Sequence, residues 1–157
     1  LYTGCKFVYR NTNAPASTAW SAISPDLVGT TYDYITNVHS SKNNGVAGTL
    51  WATTLNGKVW VTTNNGTLWT NTTQTPLPAN PALPTRAATW IATHPVVGTR
   101  PIVTFSGWRG ATTPPAQPFR TIDAGQPCRT ISGLLTANTR SARAPGGALL
   151  AGSVWSP

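Results

Sequence analysis

Three carboxylates, two imidazoles and two thiols carry most of this chain's capacity for acid–base and nucleophilic chemistry: Asp26, Asp33, Asp123, His39, His94, Cys5 and Cys128. Glutamate is absent. Glycosidic hydrolysis by a carboxylate pair needs an acid and a base or nucleophile held roughly 5 to 9.5 Å apart. Asp26 follows Pro25 in an expected turn, and Asp123 sits in a second turn-like stretch. Asp33, between Tyr32 and Tyr34, is the one acid outside a turn-like context, and it reads as part of a loop that leads into a strand. A partner for it would have to come from outside these residues. His39 and His94 fall at the ends of expected strands, with no nucleophile elbow beside either. Neither histidine stands at metal-ligand spacing from the other or from a cysteine, and no CxxC pair occurs. The sequence leaves open whether Cys5 and Cys128 are bonded. Gly146-Gly147 is not followed by the lysine of a phosphate-binding loop. No catalytic residue, cofactor or metal is therefore expected.

Binding chemistry is better represented. Trp108 and Arg109 lie together in Ser106-Gly107-Trp108-Arg109-Gly110, a glycine-flanked loop ahead of Pro114-Pro115. An aromatic beside a guanidinium in such a loop is a common anchor for a protein surface, and the indole is also a platform for a sugar. Arg100 and Arg120 flank this loop, and Arg129, Arg140 and Arg143 follow. These arginines make the later half basic within a formal net charge of +8. A polyanion or acidic partner would be attracted to such a half. The arginines are scattered and no RNA-binding motif accompanies them, so a nucleic-acid partner is not expected.

The elements that must position these side chains are strands. Charged residues make up 9% of the chain, against about a quarter in an ordinary domain. The usual surface helix formers are replaced by Thr, Ser, Asn, Gly and Pro, which favour strands and turns. No apolar run approaches the ~20 residues of a membrane-spanning helix. Two segments repeat. The first runs through Tyr34–Val38, Thr49–Thr53, Gly57–Thr62 and Trp69–Thr73. The second runs through Ala88–Pro95, Pro101–Phe105, Phe119–Asp123 and Cys128–Ile131. Each has four short runs of alternating or β-branched character bounded by turn residues, and Asn56-Gly57 is the strongest hairpin signal. Four antiparallel strands per repeat of about 50 residues is the arithmetic of a propeller blade. The expected organisation is a partial blade at 1–27, blades at 28–73 and 84–132, and a partial blade at 133–157, with Leu149–Gly152 as one more inner strand. Five tryptophans, Trp20, Trp51, Trp60, Trp69 and Trp90, are expected in the core between blades.

The turn after the third run resembles the Asp-box, or BNR repeat, whose pattern is Ser/Thr-x-Asp-x-Gly-x-x-Trp. Thr62, Asn64, Gly66 and Trp69 match it with Asn in place of Asp; Thr121, Asp123, Gly125 and Cys128 match it with Cys in place of the aromatic. The Asn11–Trp20 stretch is too irregular for a box, although Trp20 occupies the right relative place. The flanking phrases are similar to those of bacterial sortilin-like and photosystem-assembly-factor-like propellers, over residues 7 to 132. The resemblance implies an all-β, partial β-propeller of four-stranded antiparallel blades, with the boxes structural and away from the ligand-binding face. It also brings sialidases to mind as a family, whose mechanism needs a glutamate that this chain lacks.

The expected function is a non-catalytic recognition or scaffold module that binds a protein or glycan partner within a larger extracellular or periplasmic assembly. Further blades or chains would complete the propeller. The alternatives are a segment of an exported glycan-active enzyme whose other carboxylates lie elsewhere, and a structural subunit of an extracellular assembly. Asn65-Gly66-Thr67 and Asn71-Thr72-Thr73 fit the N-glycosylation pattern, but the first lies inside a box and neither is expected to be used.

Overall fold

Short period-two runs broken by Gly, Asn and Pro can satisfy their backbone groups only by pairing with their chain neighbours, and three antiparallel meanders result. A computed structural model describes residues 1–29, 32–43, 46–73, 83–107, 118–123 and 126–130. Among them every regular element is a strand. The first sheet holds β1 (Tyr2–Gly4), β2 (Val8–Arg10) and β3 (Ser21–Ala22). The second holds β4 (Ile35–Asn43), β5 (Val46–Thr54), β6 (Val59–Thr62) and β7 (Thr70–Asn71). The third holds β8 (Ala88–Thr93), β9 (Pro101–Phe105), β10 (Pro118–Asp123) and β11 (Gln126–Thr130). In each sheet the spatial order follows the chain order. The fold is all-β and antiparallel, and the described sheets form no closed ring. The expected partial blade at 133–157 lies outside the described residues.

The sheets stack face to face in one repeating sense. Leu50, Ala52 and Trp60 of the second sheet turn towards the first, where they meet Val8, Leu27 and Val28. From the opposite face Trp51, Val59 and Val61 turn towards the third sheet and meet Ile91, Val103, Phe105 and Phe119. Strand β5 is therefore buried on both faces, and the run Thr49 to Thr54 is inaccessible. Each fully buried Leu, Ile, Val or Phe contributes about 1.5–3 kcal/mol. Phe105 and Phe119 meet edge to face, with centroids 5.5 Å apart.

Adjacent sheets come together chiefly through the first described strand of each: β4 packs on β8, and β1 packs on β4. Both four-stranded sheets carry a β-bulge at the start of the first strand, at Thr36 and at Thr89. The extra residue turns a hydroxyl onto the second strand: Thr36 Oγ1 lies 3.0 Å from Thr53 Oγ1, and Thr89 Oγ1 lies 2.9 Å from Thr104 Oγ1. Thr36 also donates to the carbonyl of Ala88 at 2.6 Å. A hydroxyl has one proton, so Thr53 is the donor in its pair. The bulge thus binds its own sheet and the next one together.

The β5–β6 hairpin forms at Asn56-Gly57, where the sequence indicates it, with Gly57 at positive φ (79°). The backbone of Gly57 lies so near the next segment that a Cβ would sit 2.3 Å from the carbonyl of Pro84. The β4–β5 hairpin is longer than the alternation indicates, reaching Asn43 and Val46. Ser, Lys and Asn are poor strand formers. Here pairing to β5 and packing on the third sheet override propensity, and a second bulge lies between Ser41 and Lys42.

Candidate functional site

An antiparallel meander sends alternate connections to opposite ends. At one end lie the β6–β7 turn, with its box residues, and the β8–β9 turn, with Arg100. At the other lie the approach to β4, with Asp33, and the β5–β6 hairpin. Arg120 is exposed in the middle of β10, opposite Arg129 in the ladder. Arg100 is also exposed, and its N–H donates to the carbonyl of Val97. The two arginines are therefore not gathered at one mouth. Trp108 and Arg109 lie outside the described residues.

The first box is built as its residue types require. Thr62 Oγ1 donates to Asn64 Oδ1 at 2.8 Å and accepts from the N–H of Gly66 at 3.1 Å. Asn64 Oδ1 also accepts from the N–H of Leu68 at 2.9 Å. Asn65 and Gly66 both take positive φ, 58° and 95°, and Asn is among the few non-glycine residues that tolerate this. Trp69 then drops into the core between the first and second sheets. In the second stretch the backbone register agrees: Arg120 faces Arg129 as Val61 faces Thr70, which sets Thr121 opposite Cys128. Gly125 and the side chains of Thr121, Asp123 and Cys128 lie outside the described residues.

Register also identifies the three strands of the first sheet. Tyr9 faces Thr3 and Ala22, and Arg10 faces Ser21. In the second sheet Trp60 faces Ala52 and Asn71, and Val61 faces Thr70. Strands β1, β2 and β3 therefore correspond to β5, β6 and β7, and no described strand corresponds to β4. Trp20 then corresponds to Trp69. Trp69 is 7% exposed because the first sheet covers it, whereas Trp20 is 43% exposed because no described sheet precedes it. Trp90, on β8, is exposed too. Of the five tryptophans expected in the core, Trp51 and Trp69 are buried, Trp60 is partly so, and Trp20 and Trp90 are not.

An open groove of about 280 Å³ runs between β1 and β4, lined by Tyr2–Gly4 and Ile35–Val38. A second depression, of about 440 Å³, has Arg10, Ser24 and the box residues Asn65–Thr67 on its walls. Neither contains a carboxylate.

The described acids are occupied elsewhere. Asp26 Oδ1 accepts from the N–H groups of Val28 and Gly29, both at 2.9 Å. Those bonds, aided weakly by Lys6 at 3.7 Å, hold its carboxyl below the ordinary range. The side chain of Asp33 is fully buried. Its Oδ1 accepts from the N–H of Tyr34 and of Asn56, both at 3.0 Å, and its Oδ2 faces Lys58 Nζ at 3.8 Å. Lys58 in turn donates to the carbonyl of Val28. Asp33 thus ties the approach to β4 to the β5–β6 hairpin.

The histidines are structural as well. His39 is not at a strand end; it lies inside β4, with Nε2 3.1 Å from Thr93 Oγ1 on β8. Burial pushes its pKa below the ordinary value. His94 follows β8, and its Nδ1 accepts from the N–H of Val96 and of Val97. Cys5 is an exposed free thiol. Among the described residues no three His, Cys, Asp or Glu side chains could hold a metal ion. Sequence reasoning missed the β1–β4 groove, because its walls come from two sheets and from segments more than thirty positions apart. No protein-family model matches the chain, and no curated protein does.

Proposed function

We propose that this chain is a section of an Asp-box β-propeller that serves as a non-catalytic recognition or scaffold module for a protein or glycan partner. The observation that carries this reading is the repeated stacking sense: the second and third sheets each turn the same face back to their predecessor, with β4 beside β1 and β8 beside β4. A blade array continues by that operation, and repeat units that bury their faces only against neighbours need further neighbours. The box turn at Thr62–Trp69 and the exposed Trp20 fit the same scheme. A catalytic role for Asp33 is disfavoured by its burial and by its bonds to Tyr34 and Asn56.

Native mass spectrometry with a denatured control tests this. A denatured mass near 16.5 kDa with a multiple of it in the native spectrum, or a native complex with a heavier partner, is the expected result. A single chain of that mass in both spectra would overturn the reading.

A further inference from the structure

Arg10 stands by register where the second sheet has Val61: it faces Ser21 as Val61 faces Thr70. Val8, two positions earlier on β2, is buried against the second sheet, and alternation turns Arg10 to that same face. Val61 is covered by the third sheet. Arg10 instead meets the depression of about 440 Å³ between the first and second sheets. Ala22–Pro25 form one wall of it and Asn65–Thr67 of the box turn form the other. Arg10 is only partly exposed, yet among the described residues its guanidinium has no hydrogen-bond or ion-pair partner. The carboxamide of Asn65, on the facing wall, has none there either. The three carboxylates of the sequence are placed elsewhere. Asp26 is held by Val28, Gly29 and Lys6, and Asp33 by Tyr34, Asn56 and Lys58. Asp123 belongs to β10 in the third sheet, on the far side of the second. Taking a guanidinium partly out of water is costly unless an acceptor replaces the lost hydration.

We propose that this depression binds the side-chain carboxylate of a glutamate or aspartate presented by a partner polypeptide. The proposal rests on the recognition reading above and names the partner's chemistry. The guanidinium fork matches the two oxygens of a carboxylate, and the Asn65 amide supplies a further donor from the opposite wall. Ala22, Ile23 and Pro25 give the aliphatic stem of such a side chain an apolar surface. Two features favour a polypeptide over an acidic glycan. The walls carry no aromatic ring on which a sugar would stack. They also carry one cation rather than a row of them, and a polyanion gains its affinity from several.

The probe is capped Gly-Glu-Gly, titrated into the full chain, with the Arg10 side-chain N–H and the amides of residues 65–67 followed by NMR. Saturable shifts at these signals are expected, with a dissociation constant of about 1–10 mM. Capped Gly-Gln-Gly, titrated into the same chain, binds at least about tenfold more weakly. Arg10→Gln weakens binding of the glutamate peptide at least about tenfold. Asn65→Gly, which suits the positive φ there, weakens it about two- to fivefold. Lys42→Gln removes an exposed positive charge on β4 and changes it by less than about twofold. Three outcomes would overturn the proposal: equal responses to the two peptides, Arg10→Gln binding like the parent, or methyl glucuronide binding more tightly than the glutamate peptide. The last would give the site to an acidic glycan. The native mass and this titration read different things, so either can fail without the other.

Discussion

The indole N–H of Trp69 donates to the carbonyl of Ile23 at 2.8 Å, so the outer turn of the second sheet is anchored on the first. Gly66 stands over the same carbonyl, where a Cβ would come within 2.5 Å of the oxygen. A box turn built from side chains of one sheet is thereby also an inter-sheet joint.

Trp69→Ala removes both the joint and a buried ring, and is expected to cost about 3–5 kcal/mol in urea unfolding. Trp20→Ala, at the corresponding position of the first sheet, is expected to cost less than about 1 kcal/mol, because little covers that ring. Equal costs would contradict the exposure of Trp20 and mean that its ring is covered as that of Trp69 is.

Asn64→Ala deletes the acceptor used by Thr62 and Leu68, for an expected loss of about 1–2 kcal/mol. Asn64→Asp keeps the acceptor and makes both bonds charge-assisted. That variant is expected to melt no lower than the parent at pH 7, which differential scanning calorimetry reads directly.

Asp33→Ala leaves the N–H groups of Tyr34 and Asn56 without their acceptor and Lys58 without its nearest carboxylate. The expected loss is at least about 1–3 kcal/mol. The variant should also show protease cleavage at the β5–β6 hairpin sooner than the parent. Unchanged stability, together with lost turnover of a glycoside, would restore this residue as a catalytic acid.

His39 carries a pH dependence whose sign follows from its burial. Its folded pKa lies below the ordinary value of 6.5, so the unfolded chain binds the proton more readily than the folded one. Its contribution to stability is full above the unfolded pKa and is lost as pH falls through the lower folded pKa. Protonation there also leaves a charge between β4 and β8, beside Thr93. The melting temperature is expected to fall as pH drops from about 7 to about 5, with a shallower fall in His39→Gln. Parallel curves for the two proteins would remove His39 as the cause.

Local chemistry determined much of this molecule in advance. Alternation and turn residues located the strands of the second and third sheets, and Thr62, Asn64, Gly66 and Trp69 specified a turn whose bonds depend on residues within eight positions of one another. What lay beyond local pattern was decided by packing. Trp20 and Trp69 occupy the same place in their repeats, yet one is exposed and the other buried, because burial depends on whether a neighbouring sheet lies over the ring. Ser40 to Asn43 pair as strand against their propensity because β5 gives their backbone partners. Asp33 is structural because Asn56 and Lys58, more than twenty positions away, fold back onto it.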